Sequence, residues 1–503
     1  MSITLADARI RLDAEPTRQV RPALEVAMPG HCPGPANWRW LLDQQRMIEL
    51  IEQAGYFDEL QLLRRLRDEK PVPADTDIVA LTLLQGIPLP LSSFSHFDSL
   101  FPEAFATGTR YQSRLAGNAA WLPAAVRDFF AATQGHGPQR LWVIPVSERL
   151  QQEGFLPAPG TDWANGLLLG AFDRALGLPE VGLIALPDLE RLQIPAHLPD
   201  IPRLRLPNPP SSFLPCRSDY DDTHRERRHS SEIPRAPEPR DFIKTLHQLA
   251  GEIALRRPDM HLLFTVPLDA EQKTESPRIS PHDLQKLDDL RNEARGRNLR
   301  RVQLTFPYLR SARSSLKSAC GIIAAQMAKR TRQGAWLSTA GQPLTDQARP
   351  YPPVDRNLAT RLREQHALGV LVEERGQVKL DDERLAAGVF GETSEHARSG
   401  EVARFLGWLQ RELRRLGEQL VFDIDPQDPR PRILLESFFG RLHARGALRG
   451  ALPTDGFSLK QSAPNESTLL FEIELAPAFP IDRIRLSISR DGHDQGWQVG
   501  GLV

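Results

Sequence analysis

Apolar positions change their period several times along this chain. Residues 3–12, ITLADARIRL, alternate: Ile3 and Leu5, then Ala8, Ile10 and Leu12. That is the pattern of an extended strand with one apolar face. It stands isolated at the terminus, because the stretch MPGHCPGPAN at 28–37 has the Pro/Gly chemistry of a linker. From Trp38 to Lys70 the period becomes helical, with Leu41, Leu42, Ile48 and Ile51, a break at Gly55, then Leu60, Leu63 and Leu66. Pro71 and Pro73 close this helical pair.

From Asp77 onward, short apolar runs and helical patterns take turns. Strands are expected at 77–85 (DIVALTLLQ), 140–146 (RLWVIPV), 181–189 (VGLIALPDL), 260–268 and 299–309. Helices are expected at 92–101, at 118–133 despite Pro123, and at 163–177, 240–257 and 281–296. Such alternation implies a mainly parallel sheet with helices on both faces. Residues 206–240 are rich in Pro, Ser and charge and read as an exposed insertion or a disordered loop. The last third differs. An amphipathic helix at 399–417 carries Val402, Phe405, Leu406, Leu409 and Leu413 on one face, and a strand follows at 420–424. A second helix, 432–446, commits Leu434, Leu435, Phe438, Phe439 and Leu442 to the core, before two alternating strands at 467–476 and 481–490. The fold class is therefore α/β plus α+β: a mainly parallel α/β domain, then a C-terminal α+β domain, with extended terminal arms. The expected divisions are 1–37 (arm and linker), 38–76 (helical pair), 77–350 (α/β domain with the 206–240 insertion), 351–490 (C-terminal domain) and 491–503 (C-terminal arm).

Length agrees with several domains, since 503 residues suffice for two to four cores. The 63 basic and 64 acidic residues leave a net charge of -1, unlike the basic excess of a dedicated nucleic-acid binder. No run of eighteen apolar residues exists to span a bilayer, and the first residues lack the pattern of a secretory signal. Cys32, Cys216 and Cys320 are too widely spaced for a disulfide framework or a metal knuckle and read as thiols in a reducing cytoplasm. Of the basic residues 55 are Arg, whose planar fork suits polar protein–protein contact; genome base composition gives the same bias.

Catalytic signatures are missing. Gly135 and Gly137 begin a dinucleotide-like run, but Arg140 stands at its third glycine position. There is no Gly-Lys phosphate loop, GxSxG elbow, HExxH or CxxC. SDYDDTH at 218–224, with His229 nearby, has metal-ligand residue types, but its spacing matches no known site. The acids of FDIDPQDP at 422–429 lie between a strand and a helix, where they favour the helix dipole. The reading of the residues is a multi-domain protein with no visible catalytic machinery, no cofactor and no metal. A hydrolase or nucleotide-dependent enzyme on the α/β domain is a remote alternative.

Taken in order, the segments from about Asp77 to Arg490 resemble the sheath proteins of contractile tails, found in myophages, phage-tail-like bacteriocins and extracellular contractile injection systems. DTDIVALTLLQGIPLPLSSFSHFDSLFP resembles the family's strand, G-x-P turn and aromatic helix. WLPAAVRDFFAATQGHGPQRLWVIPV resembles its AVRxFF helix and the strand that follows, and VGLIALPDL its VxLxxxPD strand. MHLLFTVPLDA and the segment ending in LTFPYL resemble its last α/β strands. SACGIIAAQMAKRTRQGAWLSTAGQPL keeps Gly321, Ala324, Gly334, Trp336, Ala340 and Pro343 of a further motif. EVARFLGWLQRELRRLGEQLVFDIDPQDPRPRILLESFFGRLHARGALRG resembles the two helices around the family's strand-turn, with its GAL-x-G loop. Three features depart: the amino-terminal PGVYVEE arm is replaced by residues 1–76, the Trp-Gly-Ala-Arg segment is eroded near 356–385, and Ser338-Thr339-Ala340-Gly341 stands where P-x-A is usual. Main sheath and specialised paralogue both remain open.

The resemblance implies a non-enzymatic subunit that assembles in the bacterial cytoplasm into stacked rings around an inner tube, in a particle that can be released from the cell. Its implied partners are copies of itself, the inner tube protein, baseplate and terminal cap proteins and other sheath paralogues, with no nucleic acid and no direct membrane insertion. The alternative within the family is a sheath-like cap, initiator or baseplate adaptor. Links between subunits would come from strand addition by the terminal segments, through Ile3, Leu5, Ile10 and Leu12 and through Trp497 and Val499; ordinary terminal disorder is the other reading of both. Around helix 432–446, Arg430, Arg432, Arg441, Arg445 and Arg449 face only Glu436, a local excess of four positive charges. The resemblance places this helix toward the tube, with Arg441 and Arg445 four apart on one exposed face and His443 to the side. A solvated basic face is the alternative reading.

Overall fold

Residues 25–31, expected within the 1–37 arm and linker, are a central strand of the largest sheet. β1 (Glu25–His31) is paired on both sides, and its last six residues are buried. A strand covered on both faces shows no alternation, and Pro29 and Gly30 read as punctuation. Gly30 is required for space: a Cβ there would stand 2.6 Å from Leu122 Cβ and 2.8 Å from Asp188 Oδ2. The division expected at 1–37 therefore includes a strand of the large sheet. The structure, a computed structural model, describes residues 23–32, 36–69, 84–102, 120–147, 152–156, 169–195, 198–201, 241–269, 277–311, 316–387, 398–418, 429–465, 468–478, 484–491 and 497–502. Ile3, Leu5, Ile10 and Leu12 lie outside these residues. So do the 206–240 insertion with its metal candidate, the strand at 420–424, and all but the last two residues of the strand expected at 77–85.

The helical pair is a trio, α1 (Trp38–Leu42), α2 (Gln45–Gln53) and α3 (Phe57–Glu69). The side chain of Asn37 accepts the Trp40 amide and starts α1 as a separate turn. β2 (Leu89–Leu91) leads to α4 (Phe94–Leu100), whose N-cap Ser93 accepts the His96 amide. α5 (Leu122–Thr133) tolerates Pro123 because it sits in the first turn, where no helical N–H bond is lost. Then come β3 (Leu141–Val146), α6 (Ala171–Leu176), β4 (Val181–Ala185) and α7 (Pro187–Leu192). α8 (Phe242–Arg256), β5 (His261–Thr265), α9 (Pro281–Asn292) and β6 (Val302–Phe306) complete the strand–helix alternation. The strand expected at 299–309 is divided. Its start belongs to a 3-10 helix, Ala294–Arg301, and β7 (Tyr308–Ser311) follows Pro307, whose missing N–H cannot join a ladder.

β7 leaves for a three-stranded antiparallel sheet with β8 (Leu316–Lys317) and, beyond α10 (Cys320–Gln333) and β9 (Pro343–Thr345), β10 (Ala348–Tyr351). α11 (Arg356–His366), capped by Asp355, precedes β11 (Gly369–Glu374) and β12 (Gln377–Leu380). The large sheet has the order β2-β3-β1-β4-β5-β6-β11-β12-β9 among the described residues. Its pairs from β3 to β11 are parallel and its outer pairs antiparallel. β11 pairs with β6 through Gly369–Thr305 and Val370–Phe306, so the change of domain expected at 351 comes later. What changes near 351 is the direction of pairing, not the core, since Leu368 and Val370 share one apolar cluster with β4, β5 and β6.

The α+β unit begins with α12 (Gly400–Glu418) and α13 (Arg430–Ala444). Its sheet is β13 (Phe457–Asn465), β14 (Thr468–Leu475), β15 (Ile484–Asp491) and β16 (Trp497–Leu502), antiparallel and in that order. Leu469, Phe471, Ile473 and Leu475 of β14 and Leu486 and Ile488 of β15 pack against Phe405, Leu409, Phe439 and Leu442. The segment expected as a C-terminal arm is thus a strand of its own chain's sheet, with Trp497 opposite Arg490 and Val499 opposite Ile488. One core residue is also corrected: Leu434 is exposed, like its neighbour Ile433, because α13 turns them away from the sheet.

Candidate functional site

The strand order β3-β1-β4-β5-β6 is doubly wound. β1 comes first, β3 lies on one side of it, and β4 starts the run on the other. Folds of this kind hold ligands outside the carboxyl ends of the strands where the order reverses. Here that is the crevice between the end of β1, at His31, and the loop from β4 into α7. Side chains fill it. Asp188, fully buried, accepts the His31 amide at 2.9 Å and the Leu122 amide at 3.1 Å on Oδ2, and the Trp121 amide at 2.7 Å on Oδ1. Arg191 Nε lies 3.5 Å from Oδ1, and Arg191 Nη2 donates to His31 Nδ1 at 2.9 Å. Accepting there, the His31 ring carries its proton on Nε2. Burial lowers its pKa to about 3, against the pull of Asp188, so it stays neutral.

Glu190 lies behind Asp188, accepts the Thr265 amide at 3.0 Å, and is pushed up by burial to about 8. Burial also raises Tyr308 and Cys320, and Glu190 adds to both shifts. Perturbed acids and a thiol at a switch point are the usual marks of an active site. These groups are sealed instead: Asp188, Glu190 and His31 are at most 1 % exposed. An open groove of about 610 Å³ lies elsewhere, between Phe94, Arg127, Phe130 and Pro138. Its described lining contains no His, Cys or carboxylate, so it offers no acid–base pair. Cys32 and Cys320 are buried and not joined in a disulfide, and no cluster that could hold a metal occurs among the described residues. No helix among them is long and apolar enough to cross a membrane.

The other candidate surface is the α+β unit. α12 is fastened to the α/β body by two buried ion-pair systems. Arg404 meets both oxygens of Glu383 at 3.1 and 3.2 Å and donates to the Leu337 carbonyl, while the Thr339 side chain and amide bind the same carboxylate. Arg411 donates to the Asp259 carbonyl at 2.6 Å, and Arg257 holds both Asp259 oxygens at 2.8 and 2.9 Å. Burial alone would raise both carboxyls, but the guanidinia outweigh it and hold Glu383 and Asp259 below their ordinary values. Two glycines make room for this contact: a Cβ on Gly407 would stand 2.2 Å from the Asp259 carbonyl, and one on Gly182 would stand 2.3 Å from the Arg411 guanidinium.

β13 and β16 are the outer strands of their sheet among the described residues, each leaving one row of backbone groups without an in-chain ladder. On α13, Arg441 is exposed and donates to Ser437 at 2.8 Å, and Arg445 is exposed at the helix end. The structure thus brings Arg441 and Arg445 to one face, while His443 turns to the loop with Nε2 3.0 Å from the Gly450 carbonyl. Glu436 is engaged by Arg432 at 2.8 Å. Sequence reasoning missed the Asp188 cluster, although the Pro-Asp step after an apolar strand is a usable signal.

No protein-family model matches this sequence, and no curated protein matches it either. Solved structures do. The sheath tail protein from Desulfitobacterium hafniense matches 49% of the chain at 10% identity and TM-score 0.37, and the chain spans only 53% of that protein. A chain of the anti-feeding prophage (AFP) helical sheath in contracted state matches at 13% identity and TM-score 0.47, covering 92% of this chain and 91% of that one. A chain of the AFP baseplate in contracted state matches at 13% identity and TM-score 0.51, covering 96% of this chain and 94% of that one. In its described residues, therefore, this chain shares its fold with a chain of the contracted anti-feeding prophage baseplate.

Proposed function

We propose that the chain is a structural subunit of a contractile sheath. Copies stack as rings around an inner tube, and contraction of the stack drives the tube through a target envelope. The observation that carries the reading is the fold, shared with a chain of the contracted anti-feeding prophage baseplate that matches 96% of this chain. Three features agree with it. The crevice where this fold class binds ligands is filled by the chain's own side chains. The α/β body and α12 are joined by buried ion pairs, as a unit that must transmit force requires. Among the described residues the antiparallel sheet ends in the outer strands β13 and β16, and strand addition binds a neighbour through backbone groups whatever the side chains.

On this reading residues 3–12 of one copy extend the sheet of another, and Arg441 and Arg445 face acidic groups on the inner tube. Baseplate, terminal cap and other sheath paralogues are the remaining partners of a particle assembled in the bacterial cytoplasm. Deleting residues 1–15 tests the arm. The truncated chain should stay folded and monomeric and should not form long assemblies; normal assembly of the truncation would remove the arm from the account.

A further inference from the structure

Asp188 sits where a ligand would sit. Its carboxylate receives three main-chain N–H groups, from His31 at the end of β1 and from Trp121 and Leu122 at the start of the twelve-residue helix α5. Amides at a helix start, next to the end of a central strand, form an anion seat. A second feature points the same way. Arg191 and His31 are both buried, and Arg191 Nε and His31 Nε2 have no hydrogen-bond partner, although Arg191 Nε is 3.5 Å from Asp188 Oδ1. A buried guanidinium needs an anion beside it, and the carboxylate supplies one.

The shape of the seat restricts what fits. Donors divide between the two oxygens: His31 and Leu122 serve Oδ2, while Trp121 and Arg191 face Oδ1. A planar pair of oxygens satisfies that arrangement, and a single spherical ion cannot serve both positions at once. The walls are tight, because even a methyl group on Gly30 would press on Leu122 and Asp188.

We propose that this is a carboxylate-binding site which the chain fills with its own Asp188, an internal ligand that closes the crevice of the doubly wound sheet. Emptying it should create a site for a small free monocarboxylate. The inference concerns the α/β body alone and stands or falls independently of sheath assembly.

The test uses the full chain carrying Asp188→Ala, with the native protein as control. Thermal unfolding is followed in rising sodium formate and in sodium chloride at equal ionic strength. Formate should raise the midpoint of the variant along a saturating curve, as a ligand that binds only the folded state does. It should leave the native protein at the chloride value. Acetate, with one more methyl group, should act more weakly than formate. If the variant does not fold from expression, the readout is its refolding yield from urea in the two salts, where formate-dependent recovery is expected. Equal midpoints or equal yields in formate and chloride, including recovery in neither, would overturn the proposal.

Discussion

Glu190→Gln isolates one buried group whose protonation the structure ties to stability. The native side chain is fully buried, accepts the Thr265 amide, and is coupled to Asp188, Tyr308 and Cys320. Its carboxyl is held at about 8 by burial, against an ordinary value of 4.5. Between those values the unfolded chain is ionised and the folded one protonated. The folded state therefore binds the extra proton, and stability falls as pH rises. The slope is about 1.4 kcal/mol per pH unit, so the interval from roughly pH 6.5 to 8 should cost of order 2 kcal/mol. Starting near 6.5 keeps His31 out of the measurement. Its folded value of about 3 means that its own contribution is lost only as pH falls below 6.5. Glutamine retains the shape, accepts the Thr265 amide and cannot ionise. Urea unfolding at several pH values should show the native chain losing stability across this interval while Glu190→Gln stays level, so that the variant is the more stable at pH 8. Parallel profiles for the two proteins would refute the argument.

Two further changes probe packing and the basic face. Gly321→Ala should destabilise by about 1–3 kcal/mol in urea unfolding, because its Cβ would lie 2.4 Å from the Ala125 carbonyl and force α10 off α5; a change under about 0.5 kcal/mol would mean the two helices separate freely. Reversing Arg441 and Arg445 to Glu together should leave the unfolding midpoint unchanged but abolish co-purification with the inner tube at moderate salt. Each contact is worth only about 0–1 kcal/mol and is screened. Retained co-purification would show that α13 does not face the tube.

Amphipathic elements were legible in the sequence because one face is wet. Helix 399–417 appears as α12 with Phe405 and Leu409 in the core, and the strand at 467–476 appears as β14 with alternate residues inward. β1 was not legible: buried on both faces, it carries no period, and its Pro-Gly step imitates a loop. Residues 497–502 read as an arm because Gly500 and Gly501 weaken a strand pattern, yet they pair with β15. Asp188, Glu190 and Arg191 look like an ordinary charged helix start. Their meaning depends on partners 157 residues away at His31 and 67 away at Trp121, which no local pattern contains. By contrast, the shared face of Arg441 and Arg445 follows from helical spacing alone.

Self-association is the property on which the whole account turns. Negative-stain electron microscopy of the purified full-length chain examines it directly. The account predicts long hollow tubes of stacked rings. A single closed ring, or a discrete soluble oligomer at every concentration, would contradict it.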